Sequence, residues 1–432
     1  MKAQLISFVV VVFLATQSAF SQQPVMQNYR PLGKARVNIF EAPKSDTIAF
    51  NGIHVRLGGA FTQQFQALDH SNQYTTDNAN NDSPDEDLYL VGVRNGFNNA
   101  VANFNIDVQL ADGVRLELIT YLSSLHHRET YVKGGFIQFD KLPFINSSAV
   151  DNLMNYMTIK IGHMEINYGD GHFRRTDNGN AITNPFVGNY IMDAFDTEIG
   201  AEVYFQNSGF IGMVGVTEGE IKGSTKGTNQ NSGAAVYGKA GFDKQLNQDL
   251  RLRVTGSIYN TEDAVNSNYL YSGDRTGTRY ENMVQPMAAQ SFRAGRYNPD
   301  FKNKITSIMI NPFVKYQGLE FFGMYETSAG YKGTDDSKER RVNQMAGELI
   351  YRFMDNESFY LGSRYNRVFG ELETQDLDAY IERYQISAGW FLTPNILAKL
   401  EYVNQKYVDF TAGTLLDNAK FNGVVFEAVV GF

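Results

Sequence analysis

Along most of the chain apolar and polar residues alternate singly, and the alternation returns roughly every 25 residues. From Gly52 to Asp69 the odd positions Ile53, Val55, Leu57, Phe61 and Phe65 are apolar, whereas the even positions carry His54, Arg56, Thr62, Gln64 and Gln66. In 100–110, Ala102, Phe104, Ile106, Val108 and Leu110 are interleaved with Asn103, Asn105, Asp107 and Gln109. A period of two places each class on its own face of a strand. The alternation predicts strands over 52–69, 97–110, 114–124, 131–140, 157–168, 197–206, 209–218, 233–243, 250–260, 304–316, 319–329, 342–354, 358–368, 379–392, 396–408 and 420–432, sixteen in all.

The connections divide into two kinds. Ala111-Asp112-Gly113, Asn207-Ser208-Gly209, Gln317-Gly318, Asp355-Asn356-Glu357 and Thr393-Pro394-Asn395 are tight-turn sequences, while 70–96, 169–196, 219–232, 261–303 and 330–341 are long and hydrophilic. Short turns at one rim and long loops at the other distinguish a membrane barrel from a sandwich. The fold class expected is all-β: a transmembrane antiparallel up-and-down β-barrel of about 16 strands, with short periplasmic turns and long extracellular loops. Tilted strands of about ten residues cross the hydrocarbon layer, where an open sheet edge has no water to satisfy it. Tyr259, Phe313, Tyr316, Phe321, Tyr351, Phe353, Phe359, Tyr360, Tyr402 and Phe410 stand near strand ends, as aromatic girdles at the membrane interfaces would.

The first residues name a compartment. Lys2, the apolar run Ile6 to Ala15 and Ala19-Phe20-Ser21 form an export signal, read as residues 1–21 with cleavage after Ser21. The run is too short to span a bilayer as a helix. Residues 22–51, with Pro24, Pro31 and Pro43 and no alternation, are expected to be a periplasmic N-terminal extension; a plug threaded into the lumen is the alternative. Residues 52–432 form the barrel.

Composition narrows the partners. Removing 1–21 takes away one lysine and no acid, leaving 37 basic against 47 acidic residues, a balance unsuited to nucleic acid. The chain has no cysteine, so neither a lipid anchor at a cleavage-site cysteine nor a disulfide framework is available. A mean hydropathy of −0.33 suits a barrel whose strands are half wet and whose loops are polar.

The chain ends Phe421-Asn-Gly-Val-Val-Phe-Glu-Ala-Val-Val-Gly-Phe432, with apolar residues at alternate positions and a final aromatic. This resembles the last strand of Gram-negative outer-membrane porins. Gly52-Ile-His-Val-Arg-Leu-Gly-Gly-Ala-Phe-Thr-Gln-Gln-Phe-Gln66 is similar to the first strand of phosphate-selective porin O/P-like proteins of Bacteroidota. The resemblance implies passive diffusion of small hydrophilic solutes or ions, outer-membrane lipid around the wall, recognition of Phe432 by the barrel-assembly machinery, and a homotrimer. It also implies that the third long loop folds into the lumen as a constriction. Here that loop carries Asp170, His172, Arg174, Arg175, Asp177, Asp193 and Asp196, charges that would filter ions by their local field.

Strand parity predicts the lumen-facing charges. The bases are Arg56, Arg115, Lys160, Arg251, Arg253, Arg352, Arg364, Arg383 and Lys399; the acids are Asp107, Glu117, Glu198, Glu202, Glu320, Glu326, Glu348, Glu401 and Glu427. Nine against nine argues for weak selectivity, against the cationic lumen that phosphate preference requires. Arg275, Arg279, Arg293 and Arg296 belong to a loop read as solvated, or else as an anion-attracting vestibule. A hydrolase would have to use Ser123, Ser124, His126 and His127, and a metal would need His163, Glu165, Asp170 and His172; neither set has the spacing such chemistry carries. No cofactor and no catalysis are expected. The competing function is a non-conducting barrel acting as scaffold, receptor or surface-assembly partner.

Overall fold

The computed structural model describes residues 23–46, 48–74, 87–124, 131–219, 233–264, 270–271, 279–287, 289, 291, 293–332, 335–354, 356–373 and 378–432. Residues 1–22, and with them the export signal, lie outside it, as do the acidic run at 82–86, Arg275, His126 and His127.

Sixteen long strands follow one another: β1 His54–Ser71, β2 Val101–Ala111, β3 Val114–Ser123, β4 Tyr131–Phe139, β5 Met157–Glu165, β6 Thr197–Asn207, β7 Phe210–Thr217 and β8 Ala235–Gln245 form the first half. The second half comprises β9 Leu250–Ala264, β10 Phe301–Tyr316, β11 Leu319–Lys332, β12 Asp335–Phe353, β13 Phe359–Gly370, β14 Tyr380–Thr393, β15 Ile396–Val408 and β16 Lys420–Gly431. A two-residue ladder, Gly96–Phe97, precedes β2 and also pairs with β1. Every strand pairs antiparallel with its sequence neighbour, and β16 returns to β1 through Phe65↔Phe426 and Phe61↔Val430. The sheet is a closed barrel with no free edge.

The wall is inverted relative to a water-soluble sheet. In β14, Tyr384, Ile386 and Trp390 point outward and are exposed, while Arg383, Gln385 and Ser387 point inward and are buried. Val203, Val214, Val254, Ile308, Leu361, Leu400 and Phe426 extend the exposed apolar face around the circumference. An outward apolar band on a closed barrel is a lipid-facing surface, which places the protein in the outer membrane of a Gram-negative bacterium. Ile386→Arg, in mid-strand on this face, should destabilise the barrel by about 2–4 kcal/mol, measured as a lower urea midpoint for folding into lipid vesicles. An unchanged midpoint would mean that this face does not meet hydrocarbon.

Short turns gather at one end. In the β2–β3 turn Gly113 has φ +67°, a conformation glycine adopts without strain, and its carbonyl accepts a hydrogen bond from the Asp140 amide at 2.7 Å. At the same end a short α-helix, Ser148–Met154, lies in the link between β4 and β5.

Three expectations need correction. The 330–341 connection is no long loop, because β11 runs to Lys332 and β12 begins at Asp335. The fifth strand stops at Glu165, so Ile166 to Tyr168 belong to the loop beyond it. Of the aromatics assigned to girdles, Tyr316, Phe321, Tyr351 and Tyr402 are exposed on the outer wall, but Tyr259, Phe313, Tyr360 and Phe410 are buried. Parity decides it: Tyr259 shares its face with Ser257 and Thr261, and its hydroxyl donates to Glu198 at 2.7 Å.

Candidate functional site

The lumen is not open. Three chain segments enter it from different directions, and the charges on the wall hold them there.

Loop 3, residues 166–196, crosses the middle and is buried along nearly its whole length. Its backbone lies directly on the wall at Gly179, where an added Cβ would come within 2.6 Å of the Ala102 Cα. There the Thr62 hydroxyl donates to the Gly179 carbonyl at 2.6 Å, and the Gly179 amide donates to Asn103 Oδ1 at 2.9 Å.

The sequence-predicted loop charges divide between several partners. Arg253 donates from Nε and Nη2 to both oxygens of Asp170, each at 2.8 Å, and Lys239 donates to Asp170 at 3.0 Å. Arg174 reaches Glu320 at 2.6 Å and Glu348 at 2.9 Å; Arg352 shares Glu320 and Arg364 shares Glu348. Arg175 forms a two-pronged pair with Asp193, at 2.8 and 2.6 Å, and its guanidinium lies 3.9 Å from the centre of the Phe195 ring. Asp177 pairs with Lys133. His172 bridges Glu165 and Asn167 at 2.8 Å each; burial pushes its imidazole pKa below the usual value, against the upward pull of the Glu165 carboxylate. Asp196 is buried and its Oδ1 accepts the Thr197 amide at 2.7 Å. Thus Asp170, Arg174, Arg175 and Asp193 are committed to ion pairs rather than spread around a free aperture.

The wall residues read from parity do face inward, and many grip loop 3. Arg383 donates to the Asn189 carbonyl at 2.6 Å and Arg364 to the Gly188 carbonyl at 2.8 Å. Lys399 donates to the carbonyls of Ala181, Asn184 and Phe186, and is ion-paired to Glu427. Glu401 accepts the Val187 amide at 2.8 Å. Arg115 holds Asp107 at 2.9 Å and Glu117 at 3.0 Å, while Arg251 pairs with Asp243 at 2.7 Å. The Lys160 ammonium and the Arg56 guanidinium stand over the rings of Tyr204 and Tyr29.

The second segment corrects an expectation. Residues 23–51 do not stand apart as an extension: they fold into the short-turn end of the barrel. Phe40 is 2% exposed and packs edge-on against Phe173 and Phe313. Glu41 pairs with Arg253 at 2.8 Å and with Lys239 at 3.5 Å, Asn38 donates to Glu320 at 2.7 Å, and Arg174 donates to Asn38 at 2.7 Å. Burial alone would raise the Glu41 carboxyl pKa, but Arg253 and Lys239 overcome it and hold the group down at about 2. The segment therefore carries a charge that completes the Asp170–Arg253–Lys239 cluster.

The third segment comprises the described residues between Leu270 and Tyr297, and it covers the other end. Tyr280 and Met283 are fully buried, the Tyr280 hydroxyl donates to Glu401 at 2.6 Å, Arg279 donates to the Asn178 carbonyl, and Arg296 donates to the Tyr271 carbonyl at 3.3 Å. Its described residues, Arg279 and Arg296 among them, fold inward rather than forming a solvated loop.

A polar space lies within the filled cross-section. Between 23–51, loop 3 and strands β2 to β6 lies a cavity of about 130 Å³, lined by Tyr29, Arg30, Arg36, Lys160, Glu165 and Arg175 among others. Neither Lys133 nor Lys239 was anticipated at the lumen. A shift of register between Ile119 and Thr120 breaks the alternation ahead of Lys133. Lys239 was legible, since it stands two residues from inward Tyr237 and between outward neighbours in β8. The alternative metal and hydrolase residues are placed otherwise: His163 lies against the Thr197 carbonyl at 3.2 Å, and the Ser124 hydroxyl donates to the Ala100 carbonyl at 3.0 Å.

A closed antiparallel barrel of sixteen strands with a lipid-facing exterior and a charged interior defines the class: an outer-membrane β-barrel of porin-like architecture. No known protein family matches the chain, and no curated protein matches it in sequence. Among solved structures, the anion-selective porin from Comamonas acidovorans aligns with a TM-score of 0.53 at 10% identity, covering 88% of this chain and 100% of that one. The outer membrane channel DcaP of Acinetobacter baumannii aligns at 0.49 with 10% identity over 88% and 98% of the two chains. For Pseudomonas putida OprB the values are 0.49, 11%, 88% and 94%. The likeness to the Comamonas porin is one of fold.

Proposed function

We propose that the protein is an outer-membrane channel that admits small hydrophilic solutes or ions by passive diffusion, along a narrow path through the cavity beside β2 to β6. The observation that carries this reading is the polar cavity itself, which lies among the inserted segments and is lined by charged side chains from three parts of the chain. A ring of sixteen strands is wide enough for an aqueous lumen even with segments folded into it. The balanced interior charge favours weak selectivity over the phosphate preference that the first strand suggests.

The second reading, a non-conducting barrel serving as scaffold or receptor, is favoured by a different observation: Tyr190, Ile191 and Met192 of loop 3 join Phe313, Phe322 and Tyr259 of the wall in one apolar cluster, so the filling is firmly packed. Current across a planar bilayer separates the two. In the channel reading Arg175 lines the path and Arg174 does not. Arg175→Ala should shift the reversal potential toward cation preference, because a positive charge leaves the path, and Arg174→Ala should shift it less. Equal reversal potentials for wild type and Arg175→Ala would remove loop 3 from the path. Phe432, exposed on the outer wall beyond β16, is the residue we assign to recognition by the assembly machinery.

A further inference from the structure

Three of the cations that line the cavity have no ion-pair partner among the described residues. Arg115 is ion-paired with Asp107 and Glu117, Arg175 with Asp193, and Lys133 with Glu165 and Asp177. Arg30, Arg36 and Lys160, which line the same space, have no carboxylate within 4 Å among the described residues. Arg30 spends its Nε on the Ile39 carbonyl at 2.8 Å, leaving Nη2 buried without a hydrogen-bond partner; Arg36 Nε is likewise buried and unpartnered. Among the described residues the Lys160 ammonium has one hydrogen-bond partner, the Tyr204 hydroxyl at 3.3 Å. Leaving buried donors of charged groups unmet is costly, and the cost disappears when an anion supplies the acceptors. Burial and the neighbouring charge of Arg36 both press the Arg30 pKa below its usual value, a repulsion that an anion between them would relieve.

The rest of the lining restricts the anion. Glu41, Asp107, Glu117, Glu165 and Asp177 also face the cavity, so a doubly charged ion would meet repulsion that a singly charged one meets less. Leu32, Ile119 and Phe136 supply an apolar wall beside Lys160, whose ammonium is 5.3 Å from the centre of the Phe136 ring. An inorganic ion has nothing to place there; a short hydrocarbon tail does. A volume of about 130 Å³ accommodates a molecule of a few carbons.

We infer that this cavity is a binding site for a short-chain monocarboxylate, its carboxylate held by Arg30 and Arg36 with Lys160 alongside, and its tail against Ile119 and Phe136. Guanidinium forks match the two carboxylate oxygens in geometry and charge. Because two of the three cations belong to the inserted segment 23–51, the ligand joins that segment to the wall. The inference deepens the channel reading, and rests on it for the claim that such carboxylates are solutes; binding itself is measurable without current.

The test is isothermal titration calorimetry on the full chain folded in detergent, with butyrate, acetate, orthophosphate and chloride as separate titrants at neutral pH. Butyrate should bind more tightly than acetate, and acetate more tightly than orthophosphate, with chloride weakest. Arg30→Gln/Arg36→Gln should weaken butyrate about tenfold or more. Lys160→Gln, which leaves the inserted segment intact, should weaken it by a smaller factor. Heat-shifted gel migration verifies that each variant is folded. Orthophosphate binding tighter than butyrate, no heat with butyrate in a folded wild type, or unaltered affinity in the double variant or in Lys160→Gln would each overturn the assignment. Binding without any current in a bilayer would leave the site standing and defeat the channel reading instead.

Discussion

Deleting residues 24–46 should raise single-channel conductance severalfold while leaving the barrel folded. None of these residues belongs to the sheet, and β1 begins beyond them at His54, so the sixteen-strand ladder and its β1–β16 closure are retained. What leaves is the packing of Phe40 on Phe173 and Phe313 and the polar anchorage through Asn38, Glu41 and Lys44. The space vacated lies at the short-turn end and adjoins the cavity that we take for the path. Planar-bilayer recording of the deleted and complete chains, each with heat-shifted gel migration as the check on folding, makes the comparison. Equal conductance would mean that the inserted segment does not stand in the route.

Loss of Arg253 should be the most damaging single change to the packed interior. Its guanidinium contacts Asp170 of loop 3, Glu41 of the inserted segment and Asp243 of the wall, so it joins three parts of the chain that are remote in sequence. The cluster as a whole is balanced, with Lys239, Arg251 and Arg253 against Glu41, Asp170 and Asp243. Arg253→Met leaves Lys239 alone to face two buried carboxylates, and breaking a buried pair in this one-sided way costs about 3–5 kcal/mol. Adding Asp170→Asn restores the balance as one Lys239–Glu41 pair, so the double variant should be more stable than Arg253→Met by itself. Guanidinium unfolding in detergent, together with the rate at which added protease cuts loop 3, reads both effects. A double variant no more stable than the single one would show that charge balance is not what holds the three parts together.

These two expectations concern the filled lumen, which was the part of the molecule least legible in the sequence. The wall was legible because lipid outside and charge inside impose a strict period of two, and parity alone put Arg364, Arg383, Lys399 and Glu401 on the inner face, where they are buried. The same parity would have separated Tyr259, Phe313 and Tyr360 from the girdle residues; nearness to a strand end was a poorer guide than the face occupied. Lys133 was hidden by a register shift, a local event that period counting cannot carry a signal through.

The contacts that fill the barrel leave no local trace. Arg174 meets Glu320 and Glu348, and Glu41 meets Arg253, across separations that no periodicity spans. Residues 23–51 lack alternation because they form no strand, which made them resemble a free extension. A clue was nonetheless present in the charge count. Nine bases facing nine acids inside a barrel describe a set arranged to pair, directly or through inserted segments, better than they describe the lining of an open pore. Loop 3 was expected to project its charges into a free aperture, yet Asp170, Arg174, Arg175 and Asp193 are engaged with partners, and what borders the remaining space is mostly wall and N-terminal residues.

The central claim, that a passage persists through this packed interior, meets its most direct test in the ionic current of the complete chain reconstituted in a planar bilayer. Small ohmic steps are expected, present without deletion or denaturant and larger when residues 24–46 are removed. Insertion of folded barrels that carry no current in either form would contradict it and leave the scaffold reading in its place.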